Sequence, residues 1–270
     1  MYWNEAVGSD STVHPVFASV TGLVPHAVYH VRLVATNGAG TTTGPDETFT
    51  TKEDPAPPPP VLGKEVNVIP VSGLVLIKPP PGKTLAGDPV AGAASFTKGN
   101  GFVPLTEARQ IPSGSQIDAR RGTLNLTAAS SVRHGKLQTG TFGGAIFGFT
   151  QASSGLNKGL TTLTLLENDF PGAPSYSQCT KAAADGGPLA HISSVLQTLH
   201  ARDNHGHFRT RGRYSAGTVR GTVWTTIDQC NGTLTIVQRG TVLVDDFGLR
   251  KTIALHAGQS YLARAPRKRR

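Results

Sequence analysis

Arg209, Arg211 and Arg213 occupy alternate positions in Phe208-Arg209-Thr210-Arg211-Gly212-Arg213-Tyr214. On a strand, alternate side chains share a face. The three guanidinium groups would then form a ladder, with Phe208 and Tyr214 on the opposite side. Planar guanidinium forks suit two-pronged hydrogen bonding to phosphate or carboxylate, so the ladder is a candidate anion-binding face. The same alternation also serves as a solvated outer face over inward aromatics. Arg267, Lys268, Arg269 and Arg270 extend the candidate: with Arg264 they place five positive charges in the last seven residues. Such a tail can touch polyanions by releasing their counterions.

His200, His205 and His207, with Asp203 between them, have the residue types of a metal site. No cysteine or nearby glutamate completes a tetrahedral set of recognised spacing, and Asp203-Asn204-His205-Gly206-His207 reads as a turn. No metal or other cofactor is assigned. The two cysteines, Cys179 and Cys230, fit neither a four-ligand zinc site nor a CxxC redox pair. In an exported protein they form a disulfide, which the chain-entropy treatment values at roughly 4 kcal/mol for a loop of this length. Two buried thiols are the alternative.

Catalytic motifs fail on inspection. Gly82-Lys83-Thr84 ends like a phosphate-binding loop, but Ile77 stands where the first glycine belongs. Gly258-Gln259-Ser260 begins a nucleophile elbow, but Leu262 replaces the closing glycine. Asp245 and Asp246 are adjacent, so on a strand they face opposite ways, a poor arrangement for a two-carboxylate hydrolase. No catalytic residue is assigned and no enzyme is expected.

The elements that position these residues are expected to be strands. From Thr218 to Ala263, Val219, Val223, Leu234, Ile236, Val242, Val244, Ile253 and Leu255 alternate with polar or small residues. Asn231-Gly232 is a hairpin signal, because both residues tolerate positive φ. Further strand patterns lie at Val68–Ile77, Ile111–Leu126, Gly140–Phe149 and Leu160–Leu165. One helix is expected over Pro188–His200, from Leu189, Ile192, Val195, Leu196 and Leu199 at three- and four-residue spacings. No apolar run reaches the length of a membrane span. Met1–Asp10 has neither the basic flank nor the apolar core of a signal peptide, so any export signal is expected upstream or is absent.

Charge divides the chain. Residues 1–54 carry two basic and six acidic side chains, net −4, and the remainder carries +13. Asp54-Pro55-Ala56-Pro57-Pro58-Pro59-Pro60 between them reads as a semi-rigid polyproline spacer. Within the first segment, Leu23-Val24-Pro25-His26-Ala27-Val28-Tyr29, then Val31–Asn37 and Glu47–Thr51, resemble the C-terminal half of a fibronectin type III domain. The resemblance implies that Tyr29 makes the tyrosine corner, that Tyr29, Val31, Leu33 and Ala35 face inward, and that an Asn-Gly turn leads to a last strand ending at Phe49. In the second segment, Phe102–Asp118 and Ile253–Ser260 resemble FecR-type domains, which implies a β-rich, extracytoplasmic, non-enzymatic module. The combination is similar to secreted and cell-surface proteins of actinobacteria.

The second segment also echoes itself. Val71-x-Gly73-x-Val75 matches Val219-x-Gly221-x-Val223, and Arg121–Leu126 matches Arg239–Val244, as in a degenerate duplication. The expectation is an all-β chain: a partial immunoglobulin-like sandwich at 1–54, a Pro-rich linker at 55–65, a larger Gly-rich β-sandwich or barrel-like domain at 66–263 with one short helix, and a basic tail at 264–270. The function expected is adhesion, wall association or scaffolding outside the cytoplasm or at the cell surface. The partner expected is a cell-wall polymer or another protein, with nucleic-acid or other polyanion binding as the alternative.

Overall fold

The computed structural model describes residues 6–8, 12–18, 20, 23, 26–52, 56–83, 85, 101–130, 136–169, 172–179, 195–204 and 206–266. The chain divides into two compact units, Met1–Pro55 and Ala56–Arg270. Almost all regular structure in both is strand.

In the first unit, β1 (Val28–Val31) pairs with β4 (Glu47–Thr50), and β2 (Val34–Asn37) with β3 (Gly40–Thr43), all antiparallel. The Asn37 side chain closes the β2–β3 turn by accepting from the amides of Ala39 (2.9 Å) and Gly40 (3.2 Å). Tyr29 and Phe49 stand opposite each other and stack at 5.8 Å. Of the residues expected to face inward, Val31, Leu33 and Ala35 are exposed and Tyr29 is half-buried; Val28, Val34 and Phe49 are exposed as well. Val24 and Pro25 of the corner motif lie outside the described residues.

The second unit begins within the proline run. The carbonyl of Pro58 accepts from the side-chain amides of Asn67 (2.9 Å) and Gln110 (3.0 Å), Pro59 accepts from Gln110 (3.1 Å), and Pro60 is buried. Proline cannot donate from its nitrogen, but its carbonyl remains a full acceptor, so this end of the expected spacer is stitched to the domain.

The domain's strands are β5 (Glu65–Lys78), β6 (Val103–Pro104), β7 (Arg109–Pro112), β8 (Gln116–Ala129), β9 (Leu137–Gly143), β10 (Ile146–Gln151), β11 (Thr161–Leu165), β12 (Val195–Asp203), β13 (Phe208–Arg211), β14 (Ser215–Val219), β15 (Val223–Gln229), β16 (Gly232–Arg239), β17 (Thr241–Asp246), β18 (Lys251–His256) and β19 (Ser260–Arg264). They form one sheet in the order β18-β17-β14-β13-β11-β10-β8-β9-β12-β15-β16-β19, with β5 against β8 and also pairing β6 and β7. Among the described residues, β11–β13 is the one parallel pair. The ends of the path meet: the Tyr261 hydroxyl of β19 donates to Asp246 of β17 at 2.8 Å. The sheet therefore curls into a nearly closed, barrel-like form.

Period-two burial explains the core. Leu124, Leu126, Phe142, Phe147, Phe208 and Trp224 are fully buried. Phe142 meets Phe147, Phe208 and Trp224 edge-on at 6.3, 5.4 and 6.5 Å, the arrangement that aromatic quadrupoles favour. Trp224 donates its indole proton to Thr210 (2.9 Å), and Thr210 and Thr226 share a 2.7 Å hydrogen bond, so the polar edge of the ring is satisfied.

Three expectations are corrected. Val195–Asp203, the second half of the expected helix and three residues beyond it, is strand β12; residues 188–194 lie outside the described residues. Gln197, Leu199, Ala201 and Asp203 point inward at strand period, and pairing to both β9 and β15 overrides the helical spacing. Regular helix among the described residues is one turn, 177–179. Leu234 and Ile236 are half-buried on the outer side of β16, while Thr233, Thr235 and Val237 point inward. The β15–β16 hairpin forms, but Gly232 opens β16 opposite Gln229 instead of sitting in the turn. Gly232 is needed there, because a Cβ would lie 2.2 Å from the Ala263 carbonyl oxygen.

The echoed motifs occupy corresponding geometry. β5 and β8 form one long antiparallel ribbon in which Gly73 faces Gly122, with register shifts on either side. β14–β15 and β16–β17 form a second ribbon, broken at Gly221 and at Gly240, which meet at the bend. Gly73 and Gly221 both have positive φ, 65° and 69°.

Candidate anion-binding face

The arginine ladder is only partly a ladder. Arg209 and Arg211 point outward from β13, with Phe208 and Thr210 buried between them. Arg213 lies beyond the strand's end. The chain turns there because the Gly212 amide donates to the Ser215 carbonyl (3.0 Å) and the Arg213 amide to both Asp228 carboxylate oxygens (3.2 Å each). Gly212 packs so closely that a Cβ would lie 2.3 Å from Asp228 Oδ1.

All three guanidinium groups are engaged within the domain. Arg209 donates to Thr218 (2.9 Å) and pairs with Asp245 (3.7 Å). Arg211 lies 4.6 Å over the Phe247 ring. Arg213 pairs with Glu167 (2.5 Å) and stacks 4.5 Å over Tyr176. Tyr176 meets Tyr214 edge-on at 5.7 Å, and its amide donates to Glu167 (2.9 Å). Burial, followed by the nearby Asp228, Tyr214 and Glu167 charges, pushes the Tyr176 hydroxyl far above the ordinary phenol range. Burial also raises Asp228, against hydrogen bonds from Thr233 and the Arg213 amide.

Cys179 follows three residues after Tyr176 and is disulfide-bonded to Cys230, with their Cα atoms 5.4 Å apart. The disulfide thus fastens segment 172–179 to the β15–β16 turn, and the Arg213–Tyr176 stack fastens it to the β13–β14 turn. Asp245 faces out toward Arg209 and Thr252, whereas Asp246 faces in toward Tyr261.

Among the described residues no His, Cys, Asp and Glu side chains group as a metal site. His200 is exposed on the outer face of β12 and His207 is half-buried before β13; His205 lies outside the described residues, as do Arg267–Arg270. Asp203 is buried, and its carboxylate is spent on the backbone, accepting from the amides of Gly206 (2.8 Å), Gly221 (2.8 Å) and Thr222 (2.5 Å). Burial, then the charges of Arg220 and Arg209, hold the His207 pKa below the ordinary imidazole value.

Uncompensated charge lies elsewhere. Among the described residues of the barrel domain, every carboxylate except Glu65 is buried or within ion-pairing distance of a basic side chain. Arg202, Arg220 and Arg239 are exposed and enter no ion pair among the described residues. Their backbones adjoin: Arg202 precedes Asp203, Arg220 precedes the two amides that Asp203 binds, and Arg202 and Arg239 both stand opposite Val223.

Next to them an open groove of about 320 Å³ crosses β8, β9, β12, β15 and β16. Its polar lining comes from Thr123, Thr141, His200, Arg202, Thr225 and Gln238. Gln238 donates to Thr225 (2.9 Å). Gly143 and Gly144 leave its floor without side chains, and each is held by close approach: a Cβ would lie 2.7 Å from the Gly122 carbonyl oxygen and 2.5 Å from that of Thr198, respectively.

No protein-family model, curated protein or solved structure matches this chain. The site therefore rests on geometry. Arg202, Arg220 and Arg239 were missed in the sequence because they stand 18 and 19 positions apart with no shared local period, and only the pairing of their strands brings them together. The usable signal was the Gly221 and Gly240 echo, which brings the residues before both glycines to one bend.

Proposed function

We propose that the chain is a non-catalytic, extracytoplasmic or cell-surface module that binds a polymeric partner on the outer face of its barrel-like domain. The observation that carries this reading is the Cys179–Cys230 disulfide. Disulfides persist in oxidising compartments and are uncommon where glutathione and thioredoxin keep thiols reduced. No helix among the described residues is long and apolar enough to cross a membrane. The exposed apolar side chains of the first unit and its resemblance to half of a fibronectin type III domain fit a modular surface protein, as does the FecR-like pattern of the second.

Thiol counting tests the setting. Protein recovered through its natural route, denatured without reductant, is expected to show no free thiol, and two after reduction. Two free thiols before reduction would overturn the extracytoplasmic assignment. A second reading, polyanion binding in any compartment, is favoured by the exposed Arg202, Arg220 and Arg239 and would then take precedence.

A further inference from the structure

The groove and the arginines beside it narrow the class of ligand. We propose that this face binds a polyol- or sugar-phosphate polymer, a refinement that rests on the surface-module reading. Arg202 lines the groove and Arg239 stands at its edge, two strand spacings away across Val223. That separation is about 10 Å, which seats two anionic groups of one chain with a neutral unit between them. Guanidinium groups without a carboxylate partner are free to grip phosphate oxygens in pairs.

The lining selects the neutral unit. Thr123 and Gln238 present hydroxyl and amide groups, and Thr141, whose hydroxyl donates to Asn125 (2.7 Å), keeps acceptor capacity; these match the hydroxyls of a polyol or sugar, while Thr225 is buried and holds Gln238 in place (2.9 Å). Phe142 and Trp224 contribute to the walls but are fully buried, which leaves the His200 imidazole as the one ring of the lining exposed to a nucleobase, where stacking on successive bases needs several. Proteins that hold single-stranded nucleic acid use exposed rings for stacking. The glycine floor lets the chain lie close to the backbone, as a flat polymer requires. On the surface-module reading, which the disulfide supports, the polyanions this face meets are envelope polymers and not nucleic acids.

The test uses the full chain with its disulfide intact and three probes of matched charge: labelled poly(glycerol phosphate), oligo(dT) and polyglutamate. Poly(glycerol phosphate) is expected to bind tightest. R202Q/R239Q should weaken it at least tenfold, T141V about threefold with little effect on polyglutamate, and R211Q not at all. Tighter binding of oligo(dT) would overturn the ligand class in favour of nucleic acid. Equal losses with R211Q, or none with R202Q/R239Q, would overturn the site. Absence of binding by disulfide-bonded protein would sink this refinement while leaving the surface-module reading standing. Free thiols in the native protein would sink that reading whichever probe binds.

Discussion

The two bent ribbons of the barrel-like domain solve the same geometric problem differently. In the β5–β8 ribbon, Gly73 and Gly122 face each other and pairing resumes on both sides of the bend. Ile69, Val71 and Leu74 are exposed nearby, beside exposed Arg121 and Arg120, the latter paired with Asp118 (2.8 Å). In the second ribbon the chain breaks into four strands, and the amides released at Gly221 and Thr222 need other acceptors. Asp203 of the neighbouring strand supplies them. A buried carboxylate is costly unless hydrogen-bonded, and these amides, with that of Gly206, satisfy it. Because its charge is spent inside, it does not neutralise Arg202, Arg220 or Arg239. The second bend therefore carries three exposed arginines that enter no ion pair among the described residues, whereas the first carries Arg120, paired with Asp118, and Arg121 beside exposed hydrocarbon.

Breaking either bend tests that contrast. Gly73→Ala should have the largest effect. Its φ is 65° and a Cβ would lie 2.1 Å from the Arg121 carbonyl oxygen, so backbone must move. A loss of more than about 3 kcal/mol in urea unfolding is expected; a loss below about 1 kcal/mol would mean that close approach does not hold this bend.

Asp203→Ala should cost about 2–4 kcal/mol by the same measurement, because it strands buried amides. Asp203→Asn keeps one acceptor oxygen and should cost less. Near-neutral behaviour of the alanine variant would remove the distinction between the bends.

Gly240→Ala should be milder, about 1–2 kcal/mol. Its φ is 86°, but the nearest atom to a Cβ is the Thr222 hydroxyl at 2.9 Å, the end of a side chain.

Arg220→Gln should have the smallest effect, read by NMR titration of His207. The pKa should rise, because one nearby cation is removed, yet stay below that of free imidazole, because burial remains the larger cause. The sign for stability follows. A histidine whose folded pKa is depressed loses stability as pH falls from the unfolded value toward the folded one, so R220Q should lessen acid destabilisation in that window. An unmoved His207 pKa would place Arg220 away from the face assigned to it.

Much of the fold was legible because strand period is local. Alternation in Leu124–Leu126, Leu163–Leu165 and Val242–Val244 matches the buried face residue for residue. Leu196 and Leu199 misled because three-residue spacing also arises by chance in a strand, and only the two flanking strands decide between the options. Leu234 and Ile236 misled for another reason: hydrophobicity alone does not reveal that Thr233 and Thr235 would be turned inward beside buried Asp228 and Tyr261. The site was less legible still. Which arginine is paired depends on contacts such as Arg209–Asp245 and Arg213–Glu167, separated by 36 and 46 positions, and no local pattern encodes them.

The most direct measurement is the salt dependence of poly(glycerol phosphate) binding by two paired variants, R202Q/R239Q at the second bend and R209Q/R213Q in the internally paired ladder. Removing one arginine that grips a phosphate lowers the slope of log K against log salt by roughly one. The account predicts that R202Q/R239Q lowers the slope by about two and that R209Q/R213Q leaves it within experimental error. The reverse order would show that the ladder, not the second bend, carries the free charge, and would contradict the account.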